Sequence, residues 1–326
     1  MKKAFIYGIA SSLFFAVTFV LNRSMHLSGG DYLWSASLRY FFMLPFLMLL
    51  VALRRGLGPV HRSIRNAPLP WLLWSTVGFG LFYLPLSLAS NYGASFLVAG
   101  TWEITILAGA LMTPLWGKKV PIPTLLCSCI ILLGVALLQV EQAVSVSLKD
   151  CLLCIIPLLI AAFAYPLGNR NMMILCGDTL NTAQRAYGMT LCSMPFWLLV
   201  GGVALWRSGP PNGDQAVQAL IVAICSGVIA TLLFFKATDL VKDHAPQLAA
   251  IEATQAGEVV FTLLGGLLFL NEPMPSLLSC VGLILIFVGI VVSSIVSART
   301  PSVALTRSHP FAVSLPTFNK TPSDVE

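Results

Sequence analysis

Three acidic residues stand inside long apolar segments of the sequence: Glu103, Glu252 and Glu258. A charged carboxylate in the hydrocarbon layer of a membrane costs about 2.5–3.5 kcal/mol on insertion scales, so each one needs a polar partner or a water-filled cavity. Removal from water favours the neutral, protonated form of a carboxyl group, and return to water restores the anion. The three glutamates are therefore candidates for carrying a proton across a membrane.

Polar residues accompany these carboxylates at helical spacing. At 100° per residue, Gln255 and Thr262 fall on the same side of their segment as Glu252 and Glu258, whereas the remaining faces are mostly apolar. An aromatic ring beside a carboxylate offers its face to a cation. The candidates for a substrate path are Trp102, Gln255, Thr262, Thr101 and Tyr83. For Trp102, ordinary packing between helices is the alternative.

Three basic residues share the apolar segments. Arg39 lies at a depth similar to that of Glu103, and Arg185 at a depth similar to that of Glu252, so two Arg/Glu couples are expected, one near each end of a membrane path. They would act as gates, or as ion pairs that only neutralise packed helices. Glu258 has no cation at its own depth apart from Lys236, which favours it as the proton carrier.

Composition determines where these residues must sit. Hydrophobic residues make up 57% of the 326 residues, charged residues 10%, and the mean hydropathy is +0.86. Such a chain has too little polar surface to coat a soluble globule. It predicts an all-α integral membrane protein with ten transmembrane helices. These are placed near residues 4–21, 33–53, 71–90, 94–116, 124–140, 152–168, 183–206, 216–235, 246–270 and 276–297.

The distribution of Lys and Arg predicts the orientation. With the amino terminus in the cytoplasm, most basic residues outside the helices fall inside, and only Arg23, Lys149 and Arg207 fall outside. An even number of spans then places both termini in the cytoplasm and the chain in the cell (inner) membrane. The net charge of +6 reflects this topology and anionic lipid headgroups, and it indicates no nucleic acid partner.

One half of the sequence resembles the other. Asn-Arg-Ser-Met at 22–25 returns as Asn-Arg-Asn-Met at 169–172, and Pro-Ile-Pro at 121–123 returns as Pro-Met-Pro at 273–275. Since each half holds five helices, an odd number, the second half must enter the membrane from the other side. The sequence predicts two inverted five-helix repeats, 1–145 and 146–298, and a disordered cytoplasmic tail, 299–326.

Other kinds of chemistry have little support. The eight cysteines lie mostly in or beside apolar helices, where a thiol packs as a small hydrophobe. The four histidines are scattered over loops and the tail, so neither a metal site nor a cofactor is predicted. No serine with a base and no cluster of His and carboxylates stands inside the membrane, which argues against an enzyme.

Several segments resemble the drug/metabolite transporter superfamily, and within it the multidrug resistance efflux transporter branch. They are Gly-Thr-Trp-Glu-Ile-Thr-Ile at 100–106 and Ile-Glu-Ala-Thr-Gln-Ala-Gly-Glu-Val-Val-Phe-Thr-Leu-Leu-Gly at 251–265, together with a short last helix in each half after Pro-x-Pro. The resemblance implies that the third and fourth helices of each half line the transport path. One departure is clear: the small four-helix exporters carry an essential carboxylate in their first helix, and the first segment here has none.

The expected activity is proton-coupled efflux of small hydrophobic or cationic compounds by alternating access, with protons, the lipid bilayer and a small molecule as partners. The alternative is an exporter or permease for a metabolite such as an amino acid or nucleoside. Arg39 or Arg185 would then hold a substrate carboxylate. The sequence leaves open a monomer or a homodimer.

Overall fold

The computed structural model describes residues 2–117, 122–145, 147–177, 179–241, 251 and 253–299. Every regular element in these ranges is helical. The α-helices are α1 (Lys2–Leu27), α2 (Tyr32–Leu53), α3 (Leu57–Asn66), α4 (Pro68–Ser75), α5 (Leu81–Ala89), α6 (Ser95–Trp102), α7 (Ile104–Leu111), α8 (Ile122–Ser145), α9 (Leu148–Cys176), α10 (Thr182–Ser208), α11 (Gly213–Val222), α12 (Thr231–Asp239), α13 (Ala256–Phe269) and α14 (Leu277–Arg299).

The predicted class is confirmed: the chain is an all-α, multi-pass membrane protein. Six helical stretches in the described residues are long and apolar enough to cross a membrane, and four shorter apolar stretches accompany them. Large apolar side chains point outward from these helices, among them Leu277, which is 83% exposed, and Phe269, which is 77% exposed. Such surfaces are stable only against lipid.

One element was not predicted. Helix α3 lies between the second and third apolar stretches and buries Val60, while His61, Arg62 and Arg65 are exposed. A short helix with one apolar side and a basic side suits the boundary between headgroups and hydrocarbon. The hydropathy pattern missed α3 because the helix is too short and too polar to span a membrane.

Several spans are interrupted near their middles. A π-helical segment, Thr76–Gly80, joins α4 to α5, and a second one, Ala223–Ala230, joins α11 to α12. The fourth apolar stretch breaks at Glu103, between α6 and α7, and in the ninth a 3-10 turn, Ala253–Gln255, comes directly before α13. Such irregular backbone inside a membrane protein is tolerated where it is packed on protein or lines a cavity.

The packing of the spans follows a regular pattern. Helix α1 packs against the α11–α12 span and against α13, while α9 packs against the α4–α5 span and against α6–α7. Helix α2 packs on α10, and α8 packs on α14. Glycines allow the closest crossings: Gly168 of α9 meets the backbone of Gly78, and Gly134 of α8 meets that of Gly282 in α14.

The face of the bundle opposite to the start of α1 is tied together by polar contacts. Glu272, after α13, accepts hydrogen bonds from the backbone N–H of Ser95 at 2.8 Å and from its hydroxyl at 2.7 Å. Arg23 of α1 lies 3.9 Å from the Glu272 carboxylate and donates to the carbonyls of Ser90 and Asn91, both at 3.2 Å. We call Arg23, Ser95 and Glu272 the latch. It joins the ends of α1, α5, α6 and α13.

Candidate functional site

A cavity of about 390 Å³ occupies the middle of the bundle. Its lining comes from the four interrupted spans, which are α4–α5, α6–α7, α11–α12 and the 3-10 turn with α13. Side chains of α1, α2, α9, α10 and α14 complete it. Six of the residues singled out from the sequence line it together: Arg39, Trp102, Glu103, Arg185, Gln255 and Glu258.

The cavity extends toward the face on which α1 begins, here called the amino-terminal face. Its wall includes Thr182, the first residue of α10, together with Phe234 of α12 and Ser293 near the end of α14. On the opposite side the lining stops at the depth of Arg39 and Leu86, and the latch lies beyond. Among the described residues, the lining therefore reaches farther toward the amino-terminal face than toward the face with the latch, here called the closed face.

Two buried carboxyl groups share the cavity. Glu103 stands at the break between α6 and α7 and is 4% exposed; Glu258 stands in the first turn of α13 and is 7% exposed. Neither side chain forms a hydrogen bond or ion pair with another described residue, and the charges of the two groups act on each other. Both carboxyl groups are therefore open to a ligand, a proton or water in the cavity.

A guanidinium lies on the same cavity wall. Arg39 of α2 is 7% exposed and donates to the hydroxyls of Thr18 and Ser226, each at 3.1 Å. Its Cζ lies 4.1 Å from the centre of the Tyr83 ring, whose hydroxyl donates to Asn22 at 3.2 Å. The expected couple with Glu103 is not formed, because no carboxylate of a described residue lies within 4.0 Å of Arg39.

Three aromatic rings form another part of the wall. Phe82, Trp102 and Tyr165 contact each other, with ring centres 5.0 Å apart for Phe82–Trp102, 4.9 Å for Phe82–Tyr165 and 5.5 Å for Trp102–Tyr165. The three residues come from α5, α6 and α9. We call them the aromatic wall. Rings in this arrangement offer an apolar, π-rich surface to a flat or cationic ligand.

Four other predicted residues lie outside the cavity lining. Tyr83 is fully buried behind Arg39, and Thr101 is fully buried and accepts a hydrogen bond from Gln139 at 2.6 Å. Thr262 is also fully buried, although helical spacing places it on the side of Glu258. Lys236 does not reach Glu258; its ammonium lies 5.3 Å from the centre of the Tyr7 ring.

Two further predictions concern the amino-terminal end of the cavity. Arg185 lines it, as a residue of the first turn of α10. Glu252 falls outside the described residues, so the expected couple with Arg185 is not described either. Gln255 lines the cavity and donates to the Ser11 hydroxyl at 3.2 Å.

Several lining residues could not be singled out from the sequence. Phe82 and Tyr165 gave no signal, because an aromatic residue in an apolar helix looks the same whether it faces lipid, protein or a cavity. Thr18 and Ser226 gave a weak signal, as small polar residues within apolar segments. Their role as partners of Arg39 depends on how α1 and the α11–α12 span are rotated against α2, which one sequence does not reveal.

Comparisons with known proteins agree with this architecture. Residues 2–299 match the family model described as "EmrE: Putative multidrug resistance efflux transporter". The chain is 49% identical over 308 residues to the uncharacterized protein YjlA of Bacillus subtilis, across 90% of this chain and 95% of YjlA. It is 44% identical over 280 residues to an uncharacterized 42.1 kDa protein of Shouchella clausii, across 82% and 74% of the two chains.

A solved crystal structure shares the fold. It superposes with a TM-score of 0.60 at 16% sequence identity, over 92% of this chain and 99% of the solved one. At this identity the likeness concerns the fold alone.

Proposed function

Because the chain belongs to the EmrE family, a family of membrane transporters, we propose that it exports small hydrophobic or cationic compounds in exchange for protons. The observation that carries this proposal is that Glu103 and Glu258 share one cavity and that neither carboxyl group has a hydrogen-bond or ion-pair partner among the described residues. Buried carboxyl groups without protein partners are expensive, and they are retained in membrane proteins mainly where they bind ions, protons or substrates.

Glu258 is the proposed proton carrier. Within the described ranges, the charged or titratable groups that act on it are Arg39 on α2, Glu103 between α6 and α7, and Tyr165 on α9. As an anion, Glu258 attracts a cationic group that rests on the aromatic wall. After the cavity opens to the other side, a proton replaces the substrate on the same carboxyl group. The two ligands compete for one site, and this competition couples export to proton entry.

Alternating access requires that the two ends of the path exchange roles, and we propose that an inverted repeat of residues 1–145 and 146–298 provides this. Paired features support the repeat. Met189 packs against Gly78 in one π-helical segment, and Met43 packs against Gly227 in the other. The repeat pairs Arg39 with Arg185, and Met43 and Met189 each follow these arginines by four residues.

The proposed orientation places both termini in the cytoplasm, as the distribution of Lys and Arg predicts. The cavity would then be accessible from the cytoplasm, and the latch would close the outer face. Loading from the cytoplasm and release outside is the direction of an exporter.

A second function has one specific observation in its favour. Arg39 is a buried cation without a carboxylate partner among the described residues. An exporter for a metabolite with a carboxylate would use such a group directly. This alternative differs from the first in its substrate and shares the same fold and path.

The test is transport of the cationic dye rhodamine 123 by purified protein in liposomes with an imposed pH gradient. We expect dye transport that depends on the gradient, and at least about a tenfold loss in Glu258→Gln, since a neutral amide can neither release a proton nor attract a cation. Glu103→Gln should reduce transport less. Asp214→Asn, at an exposed position in the first turn of α11, is the matched control and should behave as the parent protein. Unchanged gradient-driven transport in both glutamate variants would contradict the proposal.

A further inference from the structure

Among the residues that the structure describes, Arg39 is held by neutral groups only. A guanidinium has five N–H donors, and two of its nitrogens donate to Thr18 and Ser226 at 3.1 Å. Its Nε is buried and has no hydrogen-bond partner in the described part of the chain. A cation this deep in a membrane protein is normally paired with an anion. Because Arg39 also lines the cavity, its free donors are available to an anionic group that enters there.

Glu258 lies on the cavity wall without contacting Arg39. The positive charge of Arg39 acts on Glu258, yet the two side chains form no ion pair within 4.0 Å. Each is more than nine-tenths buried. A charged pair that shares a cavity but stays apart leaves space for a ligand between the two groups.

The charges restrict what can fill this space. A purely cationic ligand at Glu258 would neutralise the carboxylate and leave Arg39 unpaired, facing a second positive charge. A purely anionic ligand on Arg39 would likewise leave the Glu258 carboxylate unpaired and facing a second negative charge. A zwitterion satisfies both groups and leaves the net charge of the site unchanged, which avoids the cost of an unpaired charge in the membrane.

We propose that the substrate is a zwitterionic aromatic compound: its carboxylate binds Arg39, its cationic group lies at Glu258, and its rings rest on the aromatic wall. This inference rests on the proposed function and narrows it, since the cationic group still competes with the proton on Glu258. Thr18 and Ser226 act as positioning residues that hold the guanidinium toward the cavity.

Two dyes that differ in one methyl group provide the test. Rhodamine 110 carries a free carboxylate beside its cationic ring system, and rhodamine 123 is the methyl ester of the same compound. Initial rates of gradient-driven transport are measured for both dyes with the same preparation of protein in liposomes. A hydrogen-bonded ion pair to a buried guanidinium should favour rhodamine 110 by at least about tenfold in rate at low dye concentration.

Variants of Arg39 identify the origin of this preference. In Arg39→Gln the ratio of the two rates should fall to about one, and in Arg39→Lys it should be intermediate, because a lysine keeps the charge but cannot reproduce the planar, multiple donors. Arg207→Gln is the control. It removes an arginine at the end of α10 whose side chain is 58% exposed, and this variant should keep the parent ratio of the two rates. A ratio of rates does not depend on how much of a variant is folded.

The outcomes separate this inference from the proposed function. If the parent protein transports rhodamine 123 as fast as rhodamine 110, or if Arg39→Gln keeps the parent ratio, the zwitterion inference is overturned while proton-driven export stands. If both Arg39 variants lose both dyes in equal proportion, Arg39 is a structural residue and the inference also fails. If the parent protein transports neither dye under any pH gradient, the proposed function is contradicted as well.

Discussion

Glu272 caps the first turn of α6 from a position 177 residues away, with one carboxylate oxygen on the backbone N–H of Ser95 and the other on its hydroxyl. A carboxylate at the start of a helix is stabilised by the free N–H groups there. The same carboxylate faces Arg23 of α1 at 3.9 Å. One side chain therefore holds three parts of the bundle together on the closed face.

The first half of the sequence has no counterpart of this carboxylate. Glu272 comes directly before the second Pro-x-Pro segment, whereas the residue before the first one, at Pro121, is the uncharged Val120.

Removing this carboxylate should loosen the closed face. Glu272→Ala abolishes both hydrogen bonds to Ser95 and the attraction of Arg23. A loss of about 1–2 kcal/mol from the closed state changes its population by a factor of about 5–30. Cys154 of α9 is fully buried beside Gly93, close to the latch, and reports on this opening. We expect its rate of labelling by a maleimide to rise several-fold.

Cys176 provides the internal comparison for that measurement. It lies at the other end of α9 and is 2% exposed. Mass spectrometry of labelled peptides follows both thiols in one sample of Glu272→Ala. If access alternates, labelling of Cys154 rises while labelling of Cys176 does not. A parallel rise at both sites would indicate general unfolding, and no change at Cys154 would show that the latch does not hold this face closed.

The crossing of α9 with the π-helical segment should not tolerate a side chain. A Cβ on Gly168 would overlap backbone atoms of Gly78, which cannot move aside as a flexible side chain can. Gly168→Ala should therefore destabilise the folded protein by at least about 1–3 kcal/mol, the usual cost of overpacking. Gly202→Ala in α10, with no atom within 4 Å of the added Cβ, is the control. Thermal unfolding in detergent should show a lower Tm for the first variant only; equal Tm values would contradict this packing.

Thr262 offers the opposite case. Its hydroxyl is fully buried and has no hydrogen-bond partner among the residues described. Replacing an unsatisfied buried hydroxyl with a methyl group of the same shape is neutral or stabilising. Thr262→Val should keep the parent Tm or raise it, and it should leave rhodamine 123 transport unchanged because Thr262 does not line the cavity. A marked loss of transport with an unchanged Tm would mean that Thr262 belongs to the substrate path.

Hydropathy predicted the positions of the spans but not their interruptions. Each of the ten apolar segments coincides with helical structure in the described residues. The π-helical segments and the break at Glu103 were not predicted, because they depend on contacts such as Gly78 with Gly168 rather than on local composition. Helix α9 is also longer than predicted, at 29 residues, since its polar end residues still form helix outside the apolar core.

The candidate site was predicted where a charge stood in an apolar helix. Glu103, Glu258, Arg39 and Arg185 all line the cavity. The sequence did not predict which side chains contact each other, because the depth of a residue along a helix does not determine the direction in which its side chain points around the helix axis. Arg39 has hydroxyl partners and not Glu103, and the helical sector that contains Glu258 also contains Thr262, which faces other helices.

We propose that Glu258 carries the proton that drives export. Two kinds of transport, compared in liposomes that contain the parent protein or Glu258→Gln, test this role. One is accumulation of rhodamine 123 against its gradient, driven by a pH difference. The other is exchange of labelled for unlabelled dye at equal pH, which needs alternating access but no proton.

We predict that Glu258→Gln loses pH-driven accumulation and the pH dependence of transport, while it retains exchange when the dye concentration is raised to offset weaker binding. If Glu258→Gln still accumulates dye against its gradient in response to the pH difference, another group carries the proton, and the proposed role of Glu258 is wrong.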